Sequence, residues 1–265
     1  MTQPPPTSVL RAFGVEEQPR SLPGGQGSSW VAGTLVFKPG GDPVHEWLAV
    51  ALDDLATDGF RLAAPVRTRH GTWSWEGYTA TRWLEGREPD PTKPSTWLDV
   101  LEAGRAFHRA VAHLDRPDCL DVREDWWAVA DRVAWGEHVI RFRSELAGLG
   151  RRLQRVLEPL GTPQVVHADL TGNILFSPGL PPGVIDVSPL WRPPAYAEGV
   201  VVADALCWQD APPSLVDQSG VPVPAVARAL LFRMATTNLA VLSGAGVDVR
   251  DEARRYDHAA AAIGI

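Results

Sequence analysis

The run Val165-Val166-His167-Ala168-Asp169-Leu170-Thr171-Gly172-Asn173-Ile174-Leu175-Phe176 constrains this chain more than any other stretch. Short apolar runs bounded by turn residues read as buried strands. A first strand therefore delivers His167, Asp169 and Asn173 into a tight loop, and a second apolar strand leaves it. Gly183-Val184-Ile185 makes a third strand, which ends on Asp186. Strands of this kind, side by side, present Asp169, Asn173 and Asp186 at one end. Carboxylate and amide oxygens suit hard Mg²⁺, which keeps several waters and takes few protein ligands. The plainer reading is a polar turn between two buried strands, Asp and Asn being common turn residues.

Composition makes a second feature visible. The 25 basic residues include only two lysines, Lys38 and Lys93. Lys93 lies between prolines in an exposed loop. Lys38 ends the strand Thr34-Leu35-Val36-Phe37-Lys38, which Pro39-Gly40-Gly41 terminates. Upstream, Gly24, Gly25, Gly27, Ser28 and Ser29 form a Gly-rich connection, so this region is predicted to be a pair of β-hairpins leading into the Lys strand. Glycines let backbone N–H groups approach phosphate oxygens, serines add hydroxyl donors, and a lysine adds a point charge. No Gly-Lys-Ser/Thr opens a helix, so this is not a P-loop. A helix is predicted from Asp42, a good N-cap, with Pro43 at its first position. Glu46 in its first turn either reaches Lys38 or simply favours the helix dipole.

Taken in order, these features resemble the kinase-like small-molecule phosphotransferases, the aminoglycoside phosphotransferase and choline kinase group. That resemblance implies a bilobal α+β, protein-kinase-like fold. Residues 1–83 would form a nucleotide-binding lobe, a small antiparallel sheet with one helix. Residues 84–265 would form a larger, mainly helical lobe carrying the catalytic loop. The implied cofactors are ATP and Mg²⁺, and the implied partner is a small molecule with an acceptor hydroxyl. By resemblance Asp169 is the catalytic carboxylate, with His167 bracing its loop, and Asn173 and Asp186 hold the metal. Lys38, steadied by Glu46 as the helix C glutamate, and the loop from Gly24 to Ser29 position the nucleotide. Ala80, Thr81, Arg82 and Trp83 would carry the adenine contacts at a hinge between lobes, although the residues alone fit an ordinary linking loop equally well. The family's Asn follows the Asp by five residues. Here it follows by four, a departure that leaves room for a second reading, a kinase-like nucleotide- or partner-binding protein without transferase activity. Gly172 is expected to re-aim Asn173 by taking a positive φ.

The remainder is predicted to be helical. Helices are expected over 97–114, over 125–146 and 151–160 with a break at Gly148-Leu149-Gly150, around 200–208, over 224–242 and over 249–262. Asp204, a carboxylate inside an apolar helix, needs donors, and the resemblance supplies them from the catalytic-loop backbone. The segment after Asp186 is too short for a regulated activation loop, so a small-molecule acceptor fits better than a protein. Asp118, Asp121, Glu124 and Asp125 either face a cationic substrate or alternate with Arg116 and Arg123 as a solvated, salt-bridged surface. Cys119 and Cys207 are too isolated for a zinc site or disulfide framework. The net charge of −7 and pI near 5.5 argue against nucleic-acid binding. No charged-then-apolar leader and no run of 18 apolar residues are found. A cytoplasmic protein without membrane contact is the expectation.

Overall fold

The computed structural model describes residues 3–22, 27–93 and 95–265. It divides into two compact units, one comprising Met1–Arg87 and Leu175–Asp186, the other Glu88–Ile174 and Val187–Ile265. Fold class follows the resemblance: an antiparallel sheet near the N-terminus and a helical C-terminal region.

The first unit is built on strands β1 (Arg20–Ser21), β2 (Trp30–Ala32), β3 (Leu35–Pro39), β5 (Ser74–Trp75) and β6 (Tyr78–Arg82), in the order β1-β2-β3-β6-β5. Side chains alternate across a strand. On β3, Leu35 and Phe37 are buried while Lys38 sits on the opposite, half-exposed side. Phe37 pairs with Ala80 in register and meets Phe13 edge-on, with ring centroids 5.5 Å apart. Phe13 closes helix α1 (Thr7–Ala12), whose Val9 and Leu10 complete this small core. Helix α2 (Pro43–Leu52) begins as the capping rules require: Asp42 accepts hydrogen bonds from the Val44 and His45 N–H groups. A second sheet places β9 (Gly183–Val184) between β4 (Arg61–Leu62) and β8 (Ile174–Leu175), with β9 parallel to β4. That pairing draws Leu175–Asp186 into the first unit although it is distant in sequence.

The second unit packs α3 (Thr96–Val111), α4 (Trp126–Ala134), α5 (Ser144–Gln154), α7 (Leu215–Ser219) and α9 (Val249–Ala262) about α6 (Pro194–Trp208) and α8 (Val223–Leu242), with the pair β7 (Gln164–His167) and β10 (Pro189–Arg192) meeting α3 and α6 through β7. Helices α6 and α8 are apolar on nearly every face because they form the centre. They cross backbone to backbone at Gly199, where a Cβ would lie 2.5 Å from the Ala225 carbonyl oxygen. Helix α8 is long and apolar enough to cross a membrane by composition, yet 72% of it is buried by its neighbours.

Two predicted features are corrected. The single helix over 125–146 is instead α4 and α5, because Gly136, at φ 71°, ends the first. No break occurs at Gly148-Leu149-Gly150: Leu146, Leu149 and Leu153 are buried at helical spacing, and Gly150 lets the ring of Phe142 pack against the helix. The stretch at Trp191 belongs to β10, paired through Trp191 with Val165.

Candidate active site

The loop after β7 is anchored from beneath. His167 is fully buried, and its Nδ1 accepts the Asp169 N–H at 3.2 Å and the Ser188 N–H at 3.3 Å. A ring nitrogen that accepts carries no proton. The His167 N–H in turn donates to Nε2 of buried His108 at 3.1 Å. Burial, and secondarily the nearby His167, pushes the His108 pKa down to about 3. His167 therefore ties loop to core and has no access to a substrate. Leu170, also buried, seats against Gly104 of α3, where any Cβ would stand 2.6 Å from its methyl.

Asn173 is aimed by a different device from the one predicted. Gly172 does not take a positive φ. The backbone closes through the Asn173 N–H to the Leu170 carbonyl at 3.0 Å. The Asn173 amide nitrogen donates to the Asp169 carbonyl at 2.6 Å and toward the Asp169 carboxylate at 3.3 Å. Its Oδ1 accepts no hydrogen bond among the described residues, so the shortened loop keeps one amide oxygen uncommitted.

Asp169 is held by a residue that sequence reasoning missed. Arg233, on α8, donates through Nη2 to Asp169 Oδ1 at 2.8 Å and to Asp204 Oδ2 at 2.6 Å. Its Nε donates to Asp204 Oδ1 at 2.8 Å. Asp204 thus receives Arg233 and the Thr171 hydroxyl, at 3.2 Å, in place of the loop-backbone donors the resemblance implied. Burial works against the Arg233 charge, but the two carboxylates outweigh it and hold the guanidinium well above its ordinary value. Burial pushes Asp204 up, and Arg233 pulls it back. Charge-assisted bonds thus join Arg233 to both carboxylates. The signal for Arg233 was the same as for Asp204: a charge inside an apolar helix needs a partner. A cleft of about 460 Å³ opens here, walled by Asp169, Asp204, Arg233, Trp208, Gln209 and Thr236.

In the first unit, Lys38 Nζ lies 2.6 Å from Asp186 Oδ2, with 29% and 47% of the two side chains exposed. Glu46 is exposed in the first turn of α2 and makes no ion pair with Lys38. Asp186 has φ 48°, a left-handed conformation that Asp tolerates better than most residues and that clusters at functional positions. Of the Gly-rich connection, Gly24 and Gly25 lie outside the described residues. Gly27 has φ 70° with nothing near its missing Cβ. Ser28 is half-buried, whereas the Ser29 hydroxyl is turned inward and buried. Ala80, Thr81 and Arg82 lie in β6 itself. The Ala80 carbonyl accepts from Val66, and the Arg82 and Trp83 N–H groups donate to Ala64 and Thr34. Their backbone is already engaged, and beyond them the Glu85 carbonyl accepts from Arg61 Nη1 at 3.0 Å.

The two residues expected from the sequence to hold a metal, Asn173 in the second unit and Asp186 in the first, each offer oxygen donors. No cluster of three or more His, Cys, Asp or Glu occurs among the described residues. That sparse set fits Mg²⁺, which takes one or two carboxylates and fills its remaining positions with water and phosphate. It does not fit a dedicated zinc or calcium cage.

No curated protein sequence matches the chain. Among solved structures, an aminoglycoside phosphotransferase from Alicyclobacillus acidocaldarius is similar at TM-score 0.64 and 15% identity, over 99% of this chain and 95% of that one. A choline/ethanolamine kinase family protein from Mesorhizobium loti is similar at TM-score 0.59 and 19% identity, over 95% and 90%. A spectinomycin phosphotransferase, solved with ADP and spectinomycin, is similar at TM-score 0.55 and 12% identity, over 96% and 92%. At such identities the likeness concerns the fold. The model of the phosphotransferase enzyme family matches residues 38–207, from the lysine at the end of β3 through the apolar helix that carries Asp204. With most of its length matched in this way, the chain belongs to the phosphotransferase enzyme family.

Proposed function

We propose that this protein transfers the γ-phosphoryl group of ATP to a hydroxyl of a small molecule. The observation that carries the reading is Asp169 at the wall of an open cleft, held by Arg233 from α8 and by Asn173 from its own loop. Asp169 Oδ2, the oxygen not bonded to Arg233, orients the acceptor hydroxyl and accepts its proton as the new O–P bond forms. The bond from the γ-phosphorus to the β,γ-bridging oxygen breaks, and ADP leaves. Positioning and charge stabilisation carry most of the rate in this chemistry. Arg233 fixes the position of Asp169. Lys38 contributes its charge to the nucleotide phosphates, exchanging Asp186 for phosphate oxygens. Asn173 and Asp186 would hold Mg²⁺, which supplies neutralisation of the phosphate charge when bound. Gly27 and Ser28 cover the phosphates, and the adenine edge is read by backbone groups at Leu84 and Glu85. Cys119 and Cys207, neither in a disulfide, suit a reducing cytoplasmic setting.

A second reading, nucleotide binding without transfer, draws on the shortened loop and on the Asp169 oxygen committed to Arg233. The two readings part in one experiment. Mg-ATP is expected to raise the melting temperature of both wild type and Asp169→Asn. ADP release, with an acceptor present, is expected to fall at least about a hundredfold in the variant, the scale of a general-base contribution. Equal release by both proteins would exclude Asp169 from the chemistry.

A further inference from the structure

The strand that leads into the Asp169 loop has one strand beside it, and a helix completes its other edge. We infer that His108 of α3 is a positioning residue for Asp169, its ring standing in for a neighbouring strand and fixing the height of the loop; this rests on the phosphotransferase reading and adds a residue to it. The role differs from that of Arg233. Arg233 holds the Asp169 carboxylate, whereas His108 acts on the backbone that carries it.

Among the described residues β7 pairs with β10 alone. Successive backbone groups of a strand face opposite edges, and a buried group without a partner costs stability. The Ala168 N–H goes to the Ser188 carbonyl, on the β10 side, at 3.0 Å. The His167 N–H faces the other way and donates to His108 Nε2 at 3.1 Å. On that same edge Gln164 Nε2 donates to the His108 carbonyl at 2.7 Å and to the Val165 carbonyl at 3.3 Å. His108 is thus tied to β7 through both its ring and its backbone. One turn earlier on the same face of α3, Gly104 receives Leu170, and Phe107 meets the His167 ring edge-on at 6.1 Å. Asp169 therefore stands between two residues seated on α3, with its own N–H accepted by His167 Nδ1.

The cost at His108 points to its purpose. Nε2 accepts, so the ring proton is on Nδ1, which is buried and has no hydrogen-bond partner among the described residues. Orphaned buried donors destabilise a fold, and leucine at this position would remove that cost. Leucine would also leave the His167 N–H without an acceptor, two residues before Asp169. Burial pushes the His108 pKa down to about 3, so the accepting nitrogen persists at neutral pH.

The test uses the full chain and Mg-ATP, with water as the only acceptor, and measures ADP release together with melting temperature. His108→Leu is expected to lower kcat at least about tenfold, the scale of a small misplacement of a reacting group, with KM for Mg-ATP unchanged. His108→Gln, whose amide oxygen can take the His167 N–H, is expected to restore most of that loss. In an Asp169→Asn background, His108→Leu is expected to cost nothing further in kcat, since no carboxylate is left to position. With Asp169→Asn slow, a His108→Leu protein at the wild-type kcat overturns the inference, as does a His108→Gln protein as slow as His108→Leu. An Nε2–H tautomer for His108 in the nitrogen NMR spectrum of the wild type also overturns it, whether or not His108→Leu folds. Wild type releasing ADP no faster than Asp169→Asn counts instead against the phosphotransferase reading.

Discussion

Two carboxylate–cation contacts of this protein have nearly the same geometry and opposite character. Arg233 and Asp204 meet at 2.6 Å with 12% and 7% of their side chains exposed. Lys38 and Asp186 also meet at 2.6 Å, with 29% and 47% exposed. The first pair lies between two helices whose other faces are apolar, and neither charge has water to fall back on. The second is at the surface of its unit, where breaking it costs little. The role proposed for Asp169 needs a permanent support of the first kind. The role proposed for Lys38, releasing one partner and taking phosphate oxygens instead, needs the second.

This contrast can be broken by substitution, beginning with the largest effect. Arg233→Met leaves Asp204 and Asp169 without their common partner, and the expected loss of unfolding free energy is about 3–5 kcal/mol. Urea denaturation checks it. Replacing both members, as Arg233→Met with Asp204→Leu, is expected to cost less than either single change, since no buried charge is then orphaned. A double variant as unstable as the sum of the singles would mean that the pair acts through packing alone.

The next effect comes from pH. His108 is buried and held neutral, with its pKa pushed down to about 3 by burial, while in the unfolded chain a histidine titrates near 6.5. Below that value the unfolded state binds a proton that the folded state refuses, so stability falls as pH falls. Between pH 6.5 and pH 5 the loss is about 2 kcal/mol. His108→Gln is expected to flatten this slope in melting curves taken across that range.

The smallest stability effect belongs to the exposed pair. Lys38→Met is expected to change stability by less than about 1 kcal/mol while abolishing the Mg-ATP-dependent rise in melting temperature. If Lys38→Met proved as destabilising as Arg233→Met, the two contacts would not differ in the way described, and Lys38 would be a structural residue.

Much of the site was legible because it is local. Asp169, Asn173 and Asp186 stand at ends of short apolar strands, Lys38 ends another, and Asp42-Pro43 announces a helix start. Strand alternation, capping and turn chemistry act over a few residues, so sequence alone carries them. Asp204 was visible as a misplaced charge for the same reason. Where local rules competed, the reading failed: glycines at 148–150 looked like a helix break, yet buried leucines on one face kept the helix intact.

What only the tertiary structure decided are the partners. Arg233 lies 64 residues from Asp169 along the chain, and nothing in the spacing of helix α8 or of the loop after β7 specifies that their side chains meet. Nor does local chemistry say that Lys38 takes Asp186 rather than Glu46, or that Asp121, Glu124 and Asp125 are each matched by an arginine. A sequence states which groups cannot be left alone in an apolar interior. Packing then decides which of them meet, because helix crossings such as that at Gly199 and strand pairings such as β9 with β4 bring remote segments within reach of one another.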